Sequence, residues 1–159
     1  MNQEVKQNSR VYLLDTNHCS RIIASDPVVV FKLNELASQQ AIFVTCSIVS
    51  GELFFMAYKS KQVELNLNLI VDFLNDLEIY PINDETSKYY GELKANLLNH
   101  YGPKEKNKRI KTKIEEIGFT ENDLWIAAVT MQYQIVLVSS DGDFKRMNDV
   151  IDLKVESWV

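Results

Sequence analysis

Short, unbroken apolar runs alternate along this chain with longer stretches whose apolar residues recur at helical spacing. No other feature limits its fold so strongly. Residues 11–14 and 135–139 are runs of this kind, and residues 41–46 are apolar and rich in β-forming side chains. A strand with one wet face alternates apolar and polar residues, so an unbroken run belongs in a strand buried on both faces. Parallel sheets clothed by helices provide that burial.

The intervening segments carry helix signals. Asp26 and Pro27 form an N-cap followed by proline at the first helical position, and Val30, Leu33, Leu36 and Ala37 predict a helix to about Ser38. Ser47 is suited to cap a second helix through Glu52, Leu53, Phe55, Met56 and Tyr58. Residues 62–77 read as helical and 78–82 as a strand; Asp84 then opens a helix through Tyr89, Tyr90, Leu93, Leu97 and Leu98. Residues 120–132 form a further helix and 153–156 a last strand, with Trp158 packing down on the body. Thr16 and Asn17 are expected to turn the chain after the first strand. The fold class expected is α/β, a three-layer α/β/α sandwich around a central parallel sheet.

At 159 residues the chain has the size of one domain, here residues 11–159, preceded by a polar extension at residues 1–10. The extension lacks the apolar core of a secretion signal, and no apolar run is long enough to span a bilayer. Cys19 and Cys46 have neither zinc-ligand spacing nor the density of a disulfide scaffold, so a cytoplasmic location and no membrane partner are expected. The composition changes at about residues 99–118, where Lys104, Lys106, Lys108, Arg109, Lys111 and Lys113 are offset by Glu105. This segment is read as an exposed basic insertion, its charges serving either solubility or contact with phosphates. The net charge of −5 means that a polyanion must be met by such a local patch or by a bound cation.

Open parallel sheets bind ligands at the carboxyl ends of their strands, and two of the apolar runs lead there into acid, Asp15 and Asp141. Glu52 and Asp123 stand near the openings of helices that begin at the same edge. Taken singly, each has a structural explanation. Asp123 lies three residues after Thr120, as in a capping box. Asp15 and Asp141 are suited to turns, and Glu52 is a good helix former near a helix N-terminus. Together they would repel one another unless a cation shared them. An all-oxygen site of this kind suits Mg²⁺ or Mn²⁺ and the hydrolysis of phosphodiesters.

The ordered pieces Leu13-Leu14-Asp15-Thr16-Asn17, Ser47-Ile48-Val49-Ser50-Gly51-Glu52-Leu53, Tyr90-Gly91-Glu92-Leu93-Lys94, Asn122-Asp123-Leu124-Trp125-Ile126-Ala127-Ala128 and Leu137-Val138-Ser139-Ser140-Asp141-Gly142-Asp143-Phe144 closely resemble PIN-domain proteins. They are most similar to the VapC-type toxins of bacterial toxin-antitoxin pairs. The resemblance implies that Asp15, Glu52, Asp123 and Asp141 are catalytic metal-site acids, with Asp143 a further candidate ligand. It gives Thr16, Asn17 and Ser140 supporting polar roles. It also implies an RNA substrate, a Mg²⁺ cofactor, a homodimer and a cognate antitoxin. The basic segment is longer than the usual connection in compact family members, and Ser139-Ser140 stands where threonine often opens the last motif.

His18 and His100 have no partners at ligand spacing, and a metal-activated water needs no histidine base. Tyr89, Tyr90 and Tyr101 are read either as base-stacking or as core or dimer residues. Two other phosphate chemistries fit less well. A phosphate-accepting receiver needs paired acids after its first strand, and a haloacid-type phosphatase needs a second aspartate where Asn17 stands. A non-catalytic PIN-like binding module is the remaining alternative, and loss of one acid would have favoured it.

Overall fold

The computed structural model describes residues 9–159, so most of the N-terminal extension expected at residues 1–10 lies outside the described residues. Five strands, β1 (Val11–Leu14), β2 (Ile42–Cys46), β3 (Glu78–Tyr80), β4 (Val136–Val138) and β5 (Val155–Glu156), form one sheet in the order β3-β2-β1-β4-β5. Every pairing is parallel. In register, Leu13 of β1 lies beside Val44 of β2 and Leu137 of β4, and all three are wholly buried. The unbroken apolar runs therefore occupy the centre of the sheet, with helices clothing it as a three-layer α/β/α sandwich.

The strand order places the topological switch between β1 and β4. From β1 the chain builds outward to β2 and β3, then returns to add β4 and β5 on the other side. Connections leave these two neighbours in opposite directions, which opens a crevice beyond their carboxyl ends. Asp15 and Asp141 stand at that crevice, and the Asp15 N–H continues the ladder by donating to Val138 O at 3.1 Å.

Helices α2 (Pro27–Ser38), α3 (Ser47–Lys59), α4 (Val63–Asn75), α5 (Asp84–Tyr101) and α7 (Glu121–Tyr133) lie where the apolar spacing predicts them. Asp26 caps α2 through the N–H groups of Val28 and Val29, as the Asp-Pro pair implies. Several local expectations are corrected. Thr16 and Asn17 do not form a turn: they begin α1 (Thr16–Ile23), because the Asp15 side chain takes the His18 N–H and caps a helix at once. Ser47 is the first residue of α3 rather than its cap, and its hydroxyl donates instead to Tyr80 O. β3 stops at Tyr80 because Pro81 follows and has no N–H for the ladder. A further helix, α8 (Gly142–Met147), follows β4 after residues 139–141 and is capped by Asp141.

The basic segment, read as an exposed insertion, is partly helical and pinned at its end. Its first residues belong to α5, its middle forms the short helix α6 (Lys106–Lys111), and a 3₁₀ turn (Ile114–Ile117) closes it. Ile114 is wholly buried and Phe119 is almost so, pinning the end of the segment to the core. Gly118 ends the 3₁₀ turn at φ +85°, a left-handed conformation that side chains disfavour. Truncation of a buried isoleucine leaves a cavity as well as losing transfer energy, so Ile114→Ala should cost about 2–5 kcal/mol. Ile110→Ala, on a side chain 72% exposed, should stay within about 0.5 kcal/mol of the parent. Urea unfolding of the two variants checks this, and equal effects would mean that the segment is not docked.

Candidate metal centre

Each acid is delivered by a different element, and capping fixes most of them. Asp15 follows β1 as the cap of α1 and is 4% exposed. Its Oδ1 accepts the His18 main-chain N–H at 2.9 Å. Asp141 follows β4 as the cap of α8, its Oδ1 accepting from Asp143 N at 2.9 Å. Asp123 lies in the first turn of α7, where Thr120 plays two parts: its Oγ accepts the Asp123 N–H at 3.2 Å and its O–H donates to Asp123 Oδ2 at 2.6 Å. The capping box expected at Asp123 is half formed: Thr120 caps the Asp123 N–H, but the carboxylate meets the Thr120 hydroxyl rather than its main-chain N–H, and it lines the crevice. Glu52, from α3, is held through both oxygens: Thr16 O–H donates to one and Asn122 Nδ2 to the other, the latter at 2.8 Å.

Asp15, Glu52, Asp123 and Asp141 line one cleft of about 310 Å³ together with Thr16, Asn17, Phe55, Met56, Ile126 and Phe144. Carboxylate oxygens of Asp123, Asp141 and Asp143 come within 4.8 Å of one another. Burial pushes Asp123 up to about 6, and the nearby Asp141, Glu52 and Asp143 push it the same way against the Thr120 hydrogen bond. Carboxyl oxygens gathered this closely are the donor set of a hard divalent cation, which would relieve the repulsion that raises Asp123. The residues present fit Mg²⁺ or Mn²⁺.

Asp143 is placed differently from Asp141. The Arg146 guanidinium donates to Asp143 Oδ1 at 2.9 Å, and Asp143 is not among the residues lining the cleft. Arg146 also donates to Ile117 O and Gly118 O, each at 3.2 Å, and lies over the rings of Phe119 and Tyr101. Asp143 is therefore tied to the base of the basic segment, while Asp141 faces the cleft.

The supporting residues divide in the same way. Thr16 holds Glu52, and Asn17 is exposed at the cleft wall. Ser140 is exposed; the neighbouring Ser139 is buried and its Oγ accepts the Asp141 N–H at 3.1 Å, so the structural hydroxyl of this motif is Ser139. Sequence reasoning also missed Asn122, whose place one residue before Asp123 is its only local signal. His18, without a ligand partner in the sequence, lies fully buried against Asp15.

Within the basic segment, Arg109 is spent on the backbone, donating to Pro103 O and Lys104 O at 3.1 Å each, and Lys108 pairs with Glu105 at 3.0 Å. Lys104, Lys106, Lys111 and Lys113 are exposed. Tyr90 stacks on Trp125, with ring centroids 3.8 Å apart. Tyr101 packs against Arg146 and Phe119. Burial pushes the thiols of Cys19 and Cys46 up, which removes them as nucleophiles.

The sequence matches the PIN domain family over residues 12–150. It is 33% identical over 150 residues to the ribonuclease VapC2 of Haemophilus influenzae, covering 93% of this chain and 98% of that one. It is 30% identical over 151 residues to the ribonuclease VapC2 of Rickettsia felis, with the same coverage of both chains. Among solved structures it resembles VapBC2 from Rickettsia felis bound to a DNA fragment from their promoter, with TM-score 0.74, 28% identity, and coverage of 94% of this chain and 99% of that one. A match over nearly the whole domain, with ribonuclease VapC relatives covered almost end to end, makes this chain a member of the PIN domain family, in its VapC group.

Proposed function

We propose that this chain is a Mg²⁺-dependent endoribonuclease, with Mn²⁺ able to replace Mg²⁺, that acts in the cytoplasm as the toxin of a type II toxin-antitoxin pair. One observation carries the reading: Asp15, Glu52, Asp123 and Asp141, brought from four elements, open onto a single cleft. The names of the relatives support RNA as the substrate. The similar structure is a VapBC2 assembly on promoter DNA, which supports a cognate antitoxin as partner. The homodimer implied by the family belongs to the same reading.

When bound, the cation polarises a phosphate oxygen and lowers the pKa of a water. Asp15, Asp123 and Asp141 are the residues that would hold it. Glu52, restrained by Thr16 and Asn122, offers a carboxylate of fixed orientation beside the reacting phosphate. Asp143, paired with Arg146 yet within 4.8 Å of Asp123 and Asp141, stays a further candidate ligand. A carboxylate cluster that lines a cleft and offers the donor set of a divalent cation favours catalysis over a non-catalytic module.

The direct test is cleavage of RNA by the purified protein with Mg²⁺ or Mn²⁺. EDTA should abolish it. Asp15→Asn and Asp123→Asn should each lower the rate by about 100-fold or more, since even outer-shell partners of a metal cost about 10–100-fold. Equal cleavage by parent and variants would remove these acids from the mechanism.

A second expectation concerns pH. With its pKa raised to about 6, folded Asp123 holds a proton at pH values where the same residue in the unfolded chain has lost it. The cation-free protein therefore loses stability from this group as pH rises from about 4 to about 6. Cation binding needs the carboxylate and is lost as pH falls through the same window. Mg²⁺ should raise the melting temperature near neutral pH and do so much less at about pH 5. Asp123→Asn should abolish the Mg²⁺ effect, and calorimetry at the two pH values reads both.

The exposed Lys104, Lys106, Lys111 and Lys113 are proposed to contact RNA phosphates, as a local basic patch on a chain whose net charge is −5. In an Asp123→Asn background, changing all four to glutamine should weaken RNA binding across sequences. The slope of log affinity against log salt should shrink by about 0.7 for each phosphate that is no longer neutralised. An unchanged slope would assign the lysines to solubility alone.

A further inference from the structure

His18 stands in the first turn of α1, wholly buried, with its ring edge-on to Trp158 at 5.8 Å between centroids. Each ring nitrogen has one neighbour. Nδ1 is 3.1 Å from Asp15 Oδ1, and the main-chain N–H of Trp158 donates to Nε2 across 3.4 Å. A backbone N–H has only a proton to give, so Nε2 must present its lone pair. The ring proton of the neutral imidazole then sits on Nδ1, where it is donated to Asp15.

The consequence falls on the carboxylate. Asp15 Oδ1 accepts from both the main chain and the ring of His18. Asp15 Oδ2 makes no protein hydrogen bond among the described residues, and Asp15 lines the cleft. One oxygen is committed to the protein and the other is left for a ligand.

We infer that His18 is a positioning residue of the metal centre: the Trp158 N–H selects its tautomer, and its Nδ1–H locks the Asp15 carboxylate with one oxygen presented to the cation. The inference rests on the metal-centre reading above. A carboxylate held by a directed donor loses less rotational freedom on binding a cation.

Two measurements test it. Long-range proton–nitrogen NMR correlations of the wild-type protein without added metal report the tautomer of His18. The expected result is a proton on Nδ1 and an unprotonated Nε2; a proton on Nε2 overturns the inference whether or not any variant folds. Mn²⁺ titration followed by electron paramagnetic resonance then compares the wild type with His18→Phe and His18→Asn. Phenylalanine keeps a ring without nitrogen, while asparagine places an amide N–H near the position of Nδ1. His18→Phe should weaken Mn²⁺ binding by about 10–100-fold and His18→Asn should recover most of it, as for other outer-shell partners of a metal ligand. Unchanged affinity in His18→Phe, or equal loss in both variants with parental circular dichroism, overturns the positioning role alone. Absence of Mn²⁺ binding by the wild type overturns the metal centre itself.

Discussion

The burial of β1 on both faces, with a carboxylate as its next residue, is the constraint on which the rest depends. Tyr12, Leu13 and Leu14 are at most 1% exposed, so the strand has one place to be, the middle of the sheet. Asp15 is thereby carried to the switch point without freedom to choose another position. Capping then does further work: the same carboxylate that ends the strand begins α1. Asp141 repeats the device on the neighbouring strand with α8, and two helices start from the two sides of one crevice.

Such an arrangement stores electrostatic repulsion, and the protein manages it unevenly. Glu52 is steadied by neutral donors, Asp143 by a cation of the protein's own, and Asp15 by an imidazole. Asp123 receives the hydroxyl of its helix cap, and burial, with the nearby carboxylates, raises its proton affinity. A carboxylate raised in this way marks where an external charge has much to contribute.

The parallel sheet was legible because its signal is simple: runs such as residues 135–139 admit no wet face. Asp15 and Asp141 followed from strand ends alone, while Glu52 and Asp123 needed the family's ordered motifs, since a helix opening explains an acid equally well. What stayed hidden was of two kinds. Helices α1 and α8 were missed because a strand-ending aspartate reads as a turn residue until its side chain is seen to cap. The roles of Asn122, Ser139 and His18 depend on the three-dimensional arrangement: Asn122 meets Glu52, and His18 meets Trp158, each far away in sequence. No periodicity encodes such a meeting. The basic segment misled in its own way, for the same composition covers Arg109, spent on carbonyls, and lysines that are free in solvent.

Arg146 has a consequence best expressed as thermodynamic coupling. A single guanidinium touches Asp143, Ile117, Gly118, Phe119 and Tyr101, and so belongs at once to the acid cluster and to the base of the basic segment. Groups that share such a node do not contribute independently, and interaction energies of about 0.5–3 kcal/mol are usual between them. Asp143 and the turn at Gly118 are therefore expected to be coupled through Arg146: a change that loosens that turn should be felt at Asp143, and a change in the charge of Asp143 at the turn.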